Sequence, residues 1–272
     1  MYLSRHQTPN GPRWALDEQL LPASFELGLL LDQPRAALPS FLAALPRSGA
    51  APGGLLAPVE ADQEVWAAGV TYLRSREARE AESTQKDVYT RVYESKRPEL
   101  FFKSVGWRVV GHGAPIRIRK DSAWNVPEPE LVLVINSRGE IVGYTAGNDV
   151  SSRDIEGENP LYLPQAKVYT GSCAVGPGIV LGDPALLRDL PVQIGIQRAG
   201  QRVFEGETRT SRMKRTPEEL AGYLTLELGF PRGVLLFTGT GIVPPGEFTM
   251  QRGDLVSIRL ADLLLENTVA DS

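Results

Sequence analysis

The sequence predicts a mixed α/β fold rich in β-structure: a roll or barrel with a small N-terminal arm or domain. Three observations carry this. From Glu64 onward, short apolar runs of strand length recur between turn residues. Only two long stretches in that region read as helix, so the pattern lacks alternating βαβ units. Residues 1–62 differ in composition, being rich in Leu, Ala and Pro. The expected division is therefore an arm at 1–62 and a main domain at 63–272.

In the arm, "LDEQLLPASFELGLLLD" (Leu16–Asp32) and "ALPSFLAALP" (Ala37–Pro46) read as short amphipathic helices broken by prolines. "RSGAAPGGLLAP" (Arg47–Pro58) reads as a connector. Strand-like runs follow at Glu64–Tyr72, Pro115–Arg119, Glu130–Asn136, Glu140–Gly147, Pro191–Gln197, Gly233–Gly239 and Asp254–Asp262. The stretch Tyr72–Ser95 is charged on most sides, as expected of a solvated helix or a lid over a site. Thr216–Leu228 opens with Thr at the cap, Pro at the first helical position and Glu219 three residues on, a capping box that starts a helix.

Composition bounds the function. The chain has 272 residues, 42% of them hydrophobic and 23% charged, which is ordinary for a folded domain with a sizeable core. A net charge of −4 without a basic block argues against nucleic acid as a partner. No apolar run reaches membrane-spanning length, and "MYLSRHQTPNGPRW" lacks a signal-peptide pattern. Cys173 is the only cysteine, so no disulfide forms within the chain, and a reducing, cytoplasmic location is expected. His6 and His112 are the only histidines, which excludes a multi-histidine zinc site.

The informative stretch is "WNVPEPELVLVINSRGEIVGYTAGNDVSSRD" (Trp124–Asp154). It places acids where strands bury side chains. Glu128 and Glu130 are two apart, so on a strand they share a face, with backbones roughly 6.5 Å apart. Pro129 between them lacks an N–H and belongs at an edge or a bulge. "SRGE" (Ser137–Glu140) reads as the turn of a hairpin, with Gly139 where positive φ is tolerated. If Ser137 faces Glu140, Glu128 faces Asp149 and Glu130 faces Gly147, with opposed Cβ atoms about 5 Å apart. Two readings remain open at this point: a solvated acidic strand end, or a site for a hard divalent cation bound through oxygen. A one-residue slip would turn Asp149 away.

E-x-E followed some twenty residues later by G-N-D-x-S-x-R-D resembles the core of the fumarylacetoacetate hydrolase superfamily. The similarity runs from about Trp66 to Asp262 and includes "RPELFFK" (Arg97–Lys103) and "FTGTG" (Phe237–Gly241). No motif covers the arm. Within the superfamily, "DSAWNVPEPELVLVIN" and "GNDVSSRDIEGENPLYLPQAKVY" are most similar to dehydratases of 2-keto-3-deoxy-pentonates. The resemblance implies a β-roll that holds Mg²⁺, with Mn²⁺ or Ca²⁺ as substitutes, through Glu128, Glu130 and Asp149. It implies that Lys167 lies beside the metal and meets the substrate, and that Thr240 binds the substrate carboxylate. Arg153 is expected to pair with an acid near the metal or to form a structural ion pair. Relatives by resemblance are homodimers or larger, so a homo-oligomer, dimer or tetramer, is expected.

The sequence departs from the hydrolases of this superfamily. Many carry N-Y-x-x-H-x-x-E ahead of the core, where His and Glu orient a water. Here the aligned "TYLRSREAR" has Ser75 in place of His and Ala78 in place of Glu. Elimination needs no water nucleophile, only a base at C3 and an acid at C4 of a chelated 2-keto acid. The expected activity is therefore Mg²⁺-dependent conversion of 2-keto-3-deoxy-pentonate to 2,5-dioxopentanoate. Lys167, Glu156 and Glu158 are the acid/base candidates, and Ser75 and Arg76, with Glu77, sit on the expected lid over the substrate. The alternatives are an acylpyruvate or diketo-acid hydrolase on the same metal site, a decarboxylase or isomerase of 2-oxo acids, and a non-catalytic binding protein.

Overall fold

A computed structural model of the chain describes residues 1–82 and 86–271. The N-terminal segment opens with the hairpin β1 (Tyr2–Thr8) and β2 (Gly11–Leu16). Then come β3 (Gln19–Leu20), the short helices α1 (Leu27–Leu31) and α2 (Leu38–Ala44), and β4 (Leu55–Leu56). β5 (Glu64–Gly69) runs into α3 (Leu73–Glu82) and α4 (Lys86–Glu94), and β6 (Glu99–Val105) returns antiparallel to β5. β7 (Ile116–Ile118) and β8 (Asn125–Val126) precede the central hairpin, β9 (Pro129–Ile135) and β10 (Ile141–Asp149). β11 (Ser151–Ser152), α5 (Arg153–Glu158) and α6 (Leu163–Lys167) follow. The chain closes with β12 (Cys173–Leu181), β13 (Pro191–Arg198), β14 (Gln201–Arg209), α7 (Pro217–Leu224), β15 (Val234–Phe237), β16 (Leu255–Leu260) and β17 (Leu263–Asp271).

Among the described residues the strands form two main sheets. The larger runs β3-β2-β1-β12-β10-β9-β15-β5-β6, with β4 on β1. The smaller runs β14-β13-β16-β17-β7. The main core lies between them: Leu131, Leu133 and Ile135 of β9 meet Val192, Ile194 and Ile196 of β13 and Val256, Ile258 and Leu260 of β16. The other face of the large sheet is covered too. Val134, Val142, Ile179 and Leu181 pack under Leu16, Leu27, Leu30, Leu31 and Leu42 of the arm. Burial on both faces is why "ELVLVIN" is continuously apolar and does not alternate. Each such side chain contributes roughly 1.5–3 kcal/mol by leaving water.

The arm differs from its expected form. Residues 2–16 make strands that extend the large sheet through the β1–β12 pairing, and helix is confined to Leu27–Leu31 and Leu38–Ala44. Around Leu16 three consecutive buried residues, Trp14–Leu16, are followed by three exposed ones, Asp17–Gln19, so no period-two alternation marks the strand. The lid stretch is two helices, and the expected helix across residues 83–85 lies outside the described residues. The capping box holds: Thr216 accepts from the Glu219 N–H at the start of α7.

The central hairpin has the register that brings the acids together. Gly147 pairs with Glu130 and Asn148 with Pro129, and the Asp149 N–H donates to the Glu128 carbonyl at 3.0 Å. The turn is one residue longer than expected, with the Asn136 N–H donating to Glu140 O around Ser137, Arg138 and Gly139, and Gly139 at φ 75°. An irregularity between Ile141 and Gly143 then shifts the pairing by one residue and restores the expected partners.

Candidate active site

The site forms where β9 and β10 end against α3, α5, α6 and β6. Pro129 is the first residue of β9, beyond the last β15 partner at Val132, so its missing N–H costs no ladder bond. The backbone holds the acids. Asn148 Oδ1 accepts from the Glu128 N–H at 3.1 Å, and the Gly239 N–H donates to Glu130 Oε2 at 2.5 Å. Carboxylate oxygens of Glu128, Glu130 and Asp149 come within 4.8 Å of one another, and all three residues are buried. Burial lifts the Glu130 carboxyl well above the carboxylate range, and Asp149 and Glu128 add to the rise. Burial likewise raises Glu128.

Four buried cations surround the triad. Lys167, at the end of α6, donates to Glu128 Oε2 at 2.7 Å, Asp149 Oδ2 at 3.1 Å and Ser151 Oγ at 2.6 Å. Burial pulls its ammonium down, but Asp149, Glu128 and Glu156 outweigh that and hold it well above the usual lysine range. Arg153 Nη2 lies 2.6 Å from Glu128 Oε1. Arg79, on α3, pairs with Glu82 at 2.9 Å and Glu156 at 3.1 Å. Lys103, on β6, reaches Asp149 Oδ1 at 2.5 Å. An ionised triad would gather three negative charges within 4.8 Å of one another, and burial with that mutual repulsion holds Glu130 well above the carboxylate range, so the metal-free site has an excess of acidic groups. One divalent cation cancels that excess, and an all-oxygen donor set suits Mg²⁺. The residues present therefore fit the metal.

The cavity beside the triad is small, about 30 Å³, and is lined by Ser75, Glu99, Phe101, Glu156, Lys167 and Thr240 among others. Seven of the expected residues thus meet: the three acids, Lys167, Thr240, Ser75 and Glu156. Thr240 is buried, its hydroxyl shared with Ile242 O and N at 3.2 Å. Glu156 also lines the cavity, held by Arg79 and Arg153. Two expected residues stand elsewhere. Glu158 lies two residues beyond Glu156, about 200° around the helix, and is exposed. Arg76 is turned about 100° from Ser75; it pairs with Glu80 and Glu94 and stacks on Tyr93, tying α3 to α4.

Three residues were assigned no role from sequence. Glu99, Phe101 and Lys103 alternate along β6 and so share one face, turned to the site. That period of two was legible in "RPELFFK". Glu99 stands directly opposite Gly69, and a Cβ on Gly69 would lie 2.1 Å from Glu99 Oε2, so any larger residue there would displace the carboxylate from this position. Burial, reinforced by Glu156, pushes Glu99 up to about 7. Arg79 follows Ser75 by one helical turn and shares its face. Next to Gly69, Val70 sits at φ 52°, a strained conformation for a β-branched residue at the cavity wall.

Comparison with known proteins agrees with this geometry. Residues 64–270 match the family model described as fumarylacetoacetate (FAA) hydrolase C-terminal. The chain is 49% identical over 217 residues to a probable 2-keto-3-deoxyxylonate dehydratase of Haloferax volcanii, covering 78% of this chain and 73% of that protein. It is 44% identical over 205 residues to the 2-dehydro-3-deoxy-D-arabinonate dehydratase of Saccharolobus solfataricus, covering 74% and 69%. Among solved structures, a 2-keto-3-deoxy-D-arabinonate dehydratase complexed with magnesium and 2,5-dioxopentanoate superposes with a TM-score of 0.83 at 34% identity, covering 100% of this chain and 99% of that one.

Proposed function

The chain belongs to the fumarylacetoacetate hydrolase family, and on that premise we propose that it dehydrates 2-keto-3-deoxy-pentonates to 2,5-dioxopentanoate. The observation that carries the reading is the buried Glu128–Glu130–Asp149 triad, whose charge and donor atoms call for a hard divalent cation. Its likeness to a dehydratase solved with magnesium and that aldehyde supports the same substrate. Bound by these three carboxylates, Mg²⁺ supplies the positive charge that acidifies C3 of a chelating 2-keto acid.

The residues divide the remaining work. Glu99 enters the cavity with a pKa of about 7, suited to take a C3 proton near neutral pH. The electron pair forms the C3–C4 double bond as the C4 hydroxyl leaves with a proton as water. Glu156, held between Arg79 and Arg153, is the nearby group proposed to serve the leaving oxygen. A proton then leaves C5 and one is returned to C3, which moves the double bond to C4–C5, and protonation of that C5 enol at C4 with loss of its O–H proton gives the aldehyde. Lys167 steadies negative charge beside the ligands, and Thr240 with the adjoining backbone is proposed to hold the substrate carboxylate. An assay of 2-keto-3-deoxy-pentonate with Mg²⁺, following aldehyde formation, tests this. Release of pyruvate from acylpyruvates would favour hydrolysis, and CO₂ release a decarboxylase.

Further proposals rest on less. The family match begins at residue 64, which supports 1–62 as an appended arm and 63–272 as the catalytic domain. No helix among the described residues is long and apolar enough to cross a membrane. The single buried free Cys173 supports a cytoplasmic location, and a homo-oligomer remains the proposed assembly.

A further inference from the structure

The cavity at the triad holds about 30 Å³, the room of about two waters. A second cavity of about 310 Å³ adjoins it, and the two share Glu99, Glu156 and Leu163 as walls. Its other walls are apolar: Val88, Tyr89 and Val92 of α4, with Leu100 and Pro160. Val88 and Val92 are four apart and so lie on one side of α4. An apolar cavity of about 150 Å³ suffices for benzene, so this one takes a chain of several carbons.

With C1 and C2 held at the triad and C3 at Glu99, the far end of a five-carbon substrate would lie toward the wall that the two cavities share. We infer that this chamber receives the distal end of longer substrates, and that the enzyme also dehydrates 4-hydroxy-2-oxo acids carrying an unbranched apolar tail. The inference rests on the site reading above, because the triad must hold the 2-oxo acid end. The chemistry is the same elimination. The C3 proton goes to Glu99, the C4–O bond breaks, water leaves and a 2-oxo-3-enoate forms, with no oxidant or reductant. The shared walls select this occupant, because Glu99 and Glu156 line both cavities and nonpolar side chains line the rest of the outer one.

The test uses Mg²⁺-loaded protein and straight-chain 2-oxo acids from 2-oxobutanoate to 2-oxooctanoate, with binding measured by calorimetry. Each methylene beyond C5 should tighten binding about fourfold. Val92→Trp, and separately Val88→Trp, should flatten the series while 2-oxobutanoate binds as before. Turnover of 4-hydroxy-2-oxooctanoate and of 2-keto-3-deoxy-pentonate is measured alongside. Affinity that is flat or falls with length in the wild type overturns the chamber. So does a series that rises equally in both tryptophan variants. Pentonate turnover without a length effect sinks this inference alone. A length effect with no pentonate turnover sinks the pentonate reading and leaves the chamber standing.

Discussion

Lys103 Nζ lies 2.5 Å from Asp149 Oδ1, and the lysine is wholly shielded from solvent. The same ammonium donates to the carbonyls of Lys167 and, at 3.2 Å, Val150. One buried charge from β6 therefore fixes Asp149 of the triad and the backbone under the lysine that touches two of its carboxylates. Removing it leaves Asp149 Oδ1 without its cation, and only Lys167, 3.1 Å from Oδ2, still faces the buried carboxylate. Lys103→Met should lower stability by about 3–5 kcal/mol, as breaking a buried pair does. Urea unfolding of the metal-free protein measures this, and a loss under about 1 kcal/mol would show that the lysine is not what holds Asp149.

The triad predicts opposite effects with and without metal. In the metal-free protein, burial and two neighbouring carboxylates penalise a charged Glu130. Glu130→Gln keeps the shape and an acceptor for the Gly239 N–H while removing that charge. Apo stability should stay level or rise, and Mg²⁺ should no longer raise the melting temperature. In the wild type, Mg²⁺ at 100 times Kd should add about 2.7 kcal/mol. A variant that still shows the full Mg²⁺ shift would remove Glu130 from the ligand set.

Glu99 carries the base assignment. Glu99→Gln should lower kcat about 10²- to 10⁴-fold with Mg²⁺ binding intact. It should also abolish solvent exchange of deuterium at C3. Exchange at the wild-type rate in this variant would hand the base role to another group.

The same residue sets the pH dependence. A carboxyl raised to about 7 is protonated, and inactive as a base, below that pH. Activity should therefore rise as pH increases through the Glu99 pKa. With Mg²⁺ bound nearby the midpoint should fall below 7, because a cation favours the carboxylate. Gly69→Ala places a methyl against Glu99 Oε2 and should depress kcat without removing the metal. A kcat/KM profile flat from pH 5 to 8 counts against the assignment.

Much of this site was legible in the sequence. The facing of Glu130 and Gly147 followed from side-chain alternation and turn chemistry, and it holds because an irregularity near Val142 offsets a turn one residue longer than expected. In the arm, β1 and β2 were given no element because β2 shows no period-two alternation, and Leu16–Asp32, read as helix broken by proline, holds β3 and a turn before α1. Glu158 and Arg76 were placed by proximity in sequence, whereas helical rotation decides which residue of a run faces inward. Glu99 and Lys103 went unassigned because β6 was not read as a strand. Its period-two face then had no sheet to belong to, and the significance of Gly69 depends on a cross-strand partner thirty residues away.

The final prediction separates elimination from hydrolysis. Attack of water on a carbonyl needs a base and an orienting partner close to the metal. The residues at those aligned positions offer neither. The Ser75 hydroxyl donates to the Tyr72 carbonyl at 2.8 Å, closing the first turn of α3, and Ala78 is a buried methyl. The opposite wall of the cavity carries Glu99, suited to an acidic C–H, and Glu156, clamped by two arginines. Acylpyruvates should therefore bind through their 2-oxo acid end and inhibit, with turnover below about one hundredth of that of 2-keto-3-deoxy-pentonate, a gap of about 2.7 kcal/mol in the barrier. Ser75→Ala should leave the dehydration rate within about threefold, since its hydroxyl serves the helix and not the reaction. Faster cleavage of acylpyruvates than dehydration would mean that a water is oriented by groups other than those at positions 75 and 78, and the site would be a hydrolase.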